Sequence, residues 1–263
     1  MRIALTIAGS DSGGGAGIQA DLKTFHQFGV YGTSVLVAVT AQNTHGVTGV
    51  HAIPIDIVRQ QIDAVADDLT PGAVKTGMLA TSEVVETVAE AMTRHRFPNY
   101  VLDPVMVATS GDRLLDADAE QSVNRLLVPL ATLVTPNLEE AQILIGDTIE
   151  TVEDMERAGR RLVELGAKAA LVKGGHLSGE EVIDVLVLGD DEAVRQFRRP
   201  RIETTSTHGT GCTLSSAVTA GLARGRDLER SVYDALQFVH RAIATAPGLG
   251  GGHGPLNHFA STS

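Results

Sequence analysis

Five consecutive residues, His208-Gly209-Thr210-Gly211-Cys212, stand directly before a helical stretch that begins at Thr213. Glycines at a helix start let main-chain N–H groups converge on an anion, and the helix dipole favours negative charge there. The chemistry open to such a segment is the holding of a phosphate. A thiol at this place would have its thiolate stabilised. The competing reading makes Cys212 a small core residue. A second glycine-rich loop, Gly9 to Gly17, follows an apolar run and opens another helical stretch, so its amides too could face a ligand. It is not GxxxxGK[ST], because no Lys follows the glycines, and not GxGxxG, because Ile18 takes the place of the last glycine. A tight turn explains it equally well.

Acids and amides recur at the ends of apolar runs: Asp103 in LDPVM, and Asn137 and Glu140 in TPNLEEA. Ligands of an open parallel sheet sit outside the carboxyl ends of its strands. Carboxylates there could hold Mg²⁺ directly or through water, with phosphates completing the shell. Taken singly, Asp103 also suits an Asx turn before Pro104, and Asn137 with Glu140 suits helix capping. Lys173 ends the run AALVK beside Gly174-Gly175, where it could reach a phosphate or merely face solvent. Asp21, Gln42 and Met78 offer a carboxylate, an amide and a soft apolar wall, a mix suited to a small polar heterocycle. Singly, Asp21 is a helix-face charge and Met78 core filler.

The elements that must position these residues alternate. Arg2–Ala8, Ser34–Thr40, Val47–Ile53, Ala73–Thr76, Tyr100–Asp103, Leu133–Thr135 and Ala169–Lys173 read as strands. Ala16–Phe28, Ile55–Leu69, Ser82–His95, a stretch from Leu138, Val152–Leu165, Gly211–Arg224 and Leu228–Ala244 read as helices. Val182–Leu188 and Ala193–Arg198, split by Gly189-Asp190-Asp191, read as a hairpin. The alternation predicts an α/β fold, a parallel sheet covered by helices on both faces, in one domain over residues 1–263.

Composition excludes other classes. With 43% hydrophobic and 20% charged residues the chain is too apolar for disorder and too mixed for a membrane span. A net charge of −11 argues against nucleic acid and anionic membranes as partners, so anionic ligands must be held by local features. One cysteine cannot form an internal disulfide, and a reducing cytoplasm is expected. The opening MRIALTIAGSDSGGG reads as a first strand and loop, not a signal peptide. Nine histidines show no HxxxH or HExxH, so no zinc site is expected.

The strings AGSDSGGGAGIQADLKTF, YGTSV, TAQNTHGV, VKTGML, LDPVMVATSG, TPNLEEA, VKGGH, HGTGCTLSSA and GHGPLNH, in this order, resemble the hydroxymethylpyrimidine/phosphomethylpyrimidine kinases of the ribokinase-like superfamily. The resemblance implies a three-layer ribokinase-like fold, with a central, mostly parallel sheet flanked by helices. It implies ATP-dependent phosphorylation of 4-amino-5-hydroxymethyl-2-methylpyrimidine, then of its monophosphate, with ATP and Mg²⁺. By motif match, Gly209, Thr210 and Gly211 would form the anion hole and Cys212 the base. Lys173 and Asn137 would serve ATP, and Asp103 and Glu140 would organise Mg²⁺. Gly9, Asp21, Gln42, Met78, Val105 and Cys212 would line the pyrimidine pocket. A homodimer is expected by the same resemblance. The chain departs from the pattern in its last helix, where Leu236 and Gln237 stand in place of an expected Lys and Arg241 is the candidate substitute. Two alternatives accompany the kinase: a non-catalytic binding module of the same fold, and pyridoxal or pyridoxine as substrate.

Overall fold

A computed structural model of the chain describes residues 1–106, 117–175, 177, 179–190 and 193–262. The VATSG end of LDPVMVATSG, His176 and Asp191 therefore lie outside the described residues.

The N-terminal apolar run becomes β1 (Ile3–Asp11), which leads into α1 (Gly17–Gln27) and β2 (Tyr31–Asn43). The hairpin partner β3 (Gly46–Ala52), α2 (Ile55–Asp68), β4 (Ala73–Thr76) and α3 (Ser82–His95) follow. β5 (Tyr100–Leu102), α4 (Ala117–Ser122), β6 (Leu133–Val134) and α5 (Leu138–Ile145) form the middle of the chain. α6 (Val152–Glu164), β7 (Ala169–Val172), β8 (Glu181–Leu188), β9 (Val194–Pro200), α7 (Thr210–Ala223) and α8 (Leu228–Ala244) complete it.

The nine strands among the described residues form one sheet in the order β3-β2-β1-β4-β5-β6-β7-β8-β9. Pairing is parallel from β2 through β7 and antiparallel where β3, β8 and β9 extend the two edges. The central strands are buried on both faces, which is why AVKT and AALV show no alternation. One face is covered by α1, α7 and α8, whose Phe25, Leu214, Val218, Phe238 and Val239 share a core. The other is covered by α2 and α3, with Val58, Ile62, Val85 and Val88 in a second core. No helix among the described residues is long and apolar enough to cross a membrane.

Two differences from the sequence-based expectation have physical causes. β1 runs on to Asp11 instead of stopping at Ala8, because the pairing with β2 shifts register past Gly9 and resumes at Ser10 and Asp11. The region before Leu133 holds α4, which passes into a π-helical turn at Val123–Leu127 and a 3-10 turn at Val128–Leu130. Its first turns, ADAEQS, break the apolar spacing that reveals a helix, although Val123, Leu127 and Val128 are buried.

The C-terminal segment is fastened to α7. His258 Nε2 lies 3.1 Å from the Thr213 hydroxyl, and both residues are buried. Burial, with help from Lys23, pulls the imidazole down to about 4. The unfolded chain, with an ordinary histidine near pH 6.5, therefore binds the extra proton first. Stability should be complete above about pH 6.5 and fall as pH drops toward 4, by up to about 3 kcal/mol. Chemical denaturation from pH 4 to 7 checks this: His258→Gln should flatten that part of the profile, and an unchanged slope would remove His258 as its source.

Candidate active site

β1 is the strand from which the order runs both ways, to β2 on one side and β4 on the other. A crevice at such a switch point is where open α/β sheets bind ligands. A cleft of about 690 Å³ lies there, lined by residues that follow the carboxyl ends of β1, β4, β5, β6 and β7. Gly9, Gln42, Met78, Asp103, Val105, Asn137, Glu140, Lys173, Gly209, Thr210, Gly211 and Cys212 all line it. Asp21 does not.

At one end, Gly9 donates its N–H to the Met78 carbonyl at 3.2 Å. A Cβ at Gly9 would stand 2.4 Å from the Met78 methyl, so glycine is what lets Met78 close this wall. Gln42, Thr40 and Val105 complete the end. The Gln42 Oε1 accepts a hydrogen bond from Thr40.

Asp21 lies behind the wall and is fully buried. Its carboxylate accepts two bonds from Lys75 Nζ, at 2.9 and 3.0 Å, and one each from the Thr6 and Ser216 hydroxyls at 2.6 Å. It pairs with Lys75 and, contrary to the expectation that it would line the pyrimidine pocket, does not line the cleft. Burial alone would pull Lys75 down, but Asp21 outweighs it and holds the amine above its ordinary value. Lys75 is a cleft residue that the sequence reading missed. The signal was present, since a lysine inside the buried run AVKT requires a partner.

The middle of the cleft is built from two loops. Gly209 is the N-cap of α7 with φ +82, and a Cβ there would meet the Gly15 carbonyl oxygen at 1.8 Å. The amides of Gly211 and Cys212 meet no acceptor among the described residues, as expected of a first helical turn. The Thr210 hydroxyl turns back to the Thr207 carbonyl at 2.7 Å. Asp11 ties the loops together. It accepts N–H groups from Gly13, Gly15 and Ala16 and pairs with the His208 ring at 2.8 Å. Burial pushes this carboxyl up, but the His208 ring and the amides outweigh it and hold it below the ordinary aspartate range. Neither Asp11 nor its pairing with His208 stands out in the sequence, where they are 197 residues apart. Burial raises the Cys212 thiol to about 11, against the pull of Lys75, so the thiolate stabilisation expected from the helix start is overturned.

Beside the start of α7 stands a carboxylate–lysine group. Lys173 Nζ is 3.4 Å from Asp103 and 3.8 Å from Glu140. The Ser215 hydroxyl donates to the other Asp103 oxygen at 3.1 Å. A Cβ on Gly211 would lie 3.2 Å from Lys173 Nζ, which places this group against the helix start. Asn137 and Glu140 form a reciprocal capping box for α5, so the capping reading of this pair holds, and both still line the cleft. Burial lifts Glu140 to about 7, with Lys173 opposing and Asp103 adding to the rise. Burial would lower Lys173, but Asp103 and Glu140 hold it above its ordinary value.

The far end is bounded by Leu236, Val239, His240 and Ile243 of α8 and by the β8–β9 hairpin. Leu236 and Gln237 do not supply a cation here. Arg241, the expected substitute, does not line the cleft and donates to the Ser261 carbonyl instead. Arg199 of β9 does line it, paired with Asp184.

Removing one partner of a buried ion pair leaves an uncompensated charge, at a cost of about 3–5 kcal/mol, whereas apolar replacement of both is often neutral. Asp21→Leu alone should therefore lower the melting temperature sharply, and adding Lys75→Met should restore most of it. Equal melting temperatures for the single and double variants would show that the pair is not what holds these elements.

The phosphomethylpyrimidine kinase family model matches residues 11–257. The hydroxymethylpyrimidine/phosphomethylpyrimidine kinase of Rhizobium meliloti (strain 1021) is 51% identical over 260 residues, covering 98% of this chain and 97% of its own. The protein of that name from Bacillus subtilis (strain 168) is 47% identical over 257 residues, covering 98% and 94%. Among solved structures, an ADP complex of Bacillus subtilis pyridoxal kinase is similar with a TM-score of 0.91 at 40% identity, covering 99% of this chain and 98% of that one. The three-layer, mostly parallel architecture is the ribokinase-like fold that the resemblance implied. The chain belongs to the phosphomethylpyrimidine kinase family.

Proposed function

We propose that the chain is an ATP-dependent kinase that phosphorylates 4-amino-5-hydroxymethyl-2-methylpyrimidine and then its monophosphate, supplying thiamine biosynthesis. The observation that carries this is the set of groups that line one cleft. Along the strand order Gly9 and Met78 follow β1 and β4 and Lys173 follows β7, and they line the cleft with Gln42, Val105, the apolar side chains of α8 and the segment of Gly211 and Cys212, whose amides meet no acceptor among the described residues. Such a set of groups suits an acceptor, a transferring phosphoryl group and a nucleotide in one cleft. The relatives that carry this activity in their names support it, and the ADP complex of the similar structure supports nucleotide binding.

In the first step the substrate hydroxyl oxygen bonds to the γ-phosphorus, the bond to the ADP oxygen breaks, and the hydroxyl proton is released. Phosphoryl transfer needs little covalent chemistry from a protein, so positioning and charge neutralisation carry it. The amides of Gly211 and Cys212 would meet the equatorial oxygens, with Gly209 and Thr210 shaping the turn. Lys173 would neutralise the phosphate tail. Asn137 sits at the same edge, its side-chain oxygen engaged in the α5 cap.

The donor set at Asp103 and Glu140 fits Mg²⁺. Both carboxylates are buried at the cleft and offer hard oxygen ligands. Among the described residues no three His, Cys, Asp or Glu side chains cluster as a metal site, so water and phosphate oxygens would complete the shell, which is the habit of Mg²⁺. When bound, the ion supplies neutralisation of phosphate charge. The same reading takes a cytoplasmic setting and a homodimer, with the exposed residues of edge strand β3 open to a second copy.

Purified protein given Mg-ATP and the hydroxymethylpyrimidine should yield the monophosphate and then the pyrophosphate by mass spectrometry. Phosphate on pyridoxal, favoured as a secondary activity by the likeness to a pyridoxal kinase, should appear more slowly. Product on pyridoxal alone would reverse the assignment. Absence of product on both, with ligand binding retained, would favour the binding-module alternative.

Cys212 is the base in this reading, and its thiol at about 11 fixes the sign of a pH effect. Below that value the thiolate fraction rises about tenfold per pH unit. The first phosphorylation should therefore speed up from pH 7 to 9, whereas the second, which attacks with an ionised phosphate oxygen, should not. Cys212→Ala should remove the slope and slow the first step by roughly 10²–10⁴-fold. Equal losses in both steps would assign Cys212 to packing.

A further inference from the structure

Four lysine and arginine side chains line the cleft among the described residues: Lys75, Lys173, Arg199 and Arg201. Lys75 is engaged by Asp21, and Lys173 by Asp103 and Glu140. Arg201 donates to the carbonyls of Gly175, Leu177 and Gly179. Arg199 differs. Its Nη2 pairs with Asp184 Oδ2, but its Nη1 is buried and meets no hydrogen-bond partner among the described residues. A buried guanidinium N–H without an acceptor is costly, so this donor is free for an acceptor that enters the cleft.

The surroundings say where that acceptor lies. Asp184 Oδ1 accepts the Gly174 N–H at 2.9 Å, so Arg199 is joined through Asp184 to the residue after Lys173. The apolar side chains of α8 bound the same end of the cleft and offer no cation of their own. We propose that Arg199 is a nucleotide-binding residue whose Nη1 donates to an anionic oxygen of the nucleotide's diphosphate, taking over a charge that α8 does not provide. This rests on the reading that the nucleotide occupies the β8–β9 and α8 end of the cleft. A guanidinium suits the task because its planar fork serves two anionic acceptors at once, Asp184 on one side and phosphate on the other.

The test measures binding by calorimetry without Mg²⁺, with ADP and adenosine as probes. Arg199→Met combined with Asp184→Asn removes the guanidinium together with the carboxylate it would strand, while the Asn oxygen can still accept the Gly174 N–H. Arg199→Lys keeps the ion pair and loses the fork. The double variant should bind ADP roughly tenfold to a hundredfold more weakly and adenosine unchanged, with Arg199→Lys intermediate for ADP. Unchanged ADP affinity, or parallel losses for ADP and adenosine, would overturn the phosphate contact. If the double variant does not fold, the same comparison on Arg199→Lys decides. Failure of the wild-type chain to bind ADP would instead overturn the nucleotide reading, and this contact with it.

Discussion

A single buried charge pair sets the frame on which the cleft depends. Lys75 and Asp21 are both removed from solvent, and the Thr6 and Ser216 hydroxyls complete the carboxylate's hydrogen bonds. Those four side chains come from β4, α1, β1 and α7, so one polar knot ties together two central strands and the two helices that carry the glycine loops. A charge in such a place is tolerated only when every partner is present. The requirement fixes the relative positions of β1 and β4, and with them the Gly9–Met78 contact in the cleft. The same lysine lies behind Cys212 and is the cation that opposes the rise of its thiol.

A second knot works at the loop level. Asp11 gathers three amides of the first glycine loop and the ring of His208, which immediately precedes the second. The contact between Gly209 and the Gly15 carbonyl is close enough that no side chain fits. The two loops therefore form one surface, and the Gly211 and Cys212 amides of α7 meet no acceptor among the described residues. Preorganised dipoles of this kind stabilise developing charge without reorganisation when the reaction occurs.

An acidic chain that binds anions must concentrate its positive field. With a net charge of −11 the global field repels a nucleotide. The cleft answers with Lys75, Lys173, Arg199 and Arg201, each held by carboxylates or carbonyls, and with the start of α7. Leu236 brings no cation to the cleft from α8, whereas the β8–β9 hairpin brings Arg199, paired with Asp184.

The sequence by itself determined the order of elements and most of the cleft. Apolar runs separated by helical spacing dictated an alternating α/β chain, and β4, α3 and α8 begin and end where that spacing begins and ends. Residues at strand ends beside glycine or proline, such as Asp103, Asn137 and Lys173, were legible because a parallel sheet exposes those ends to a ligand. What tertiary structure alone decided are the pairings between distant segments. Asp21 reads as a surface charge on α1 until Lys75 arrives from a strand 54 residues away. Asp11 reads as loop polarity until His208 meets it. The Cys212 thiol reads as activated until the burial around it is known, and Arg199 reads as one of several arginines on an edge strand until its second donor is seen to lack an acceptor. Periodicity is a local property of the chain and survives in the sequence, whereas the partner of a buried charge is fixed only when packing brings both sides together.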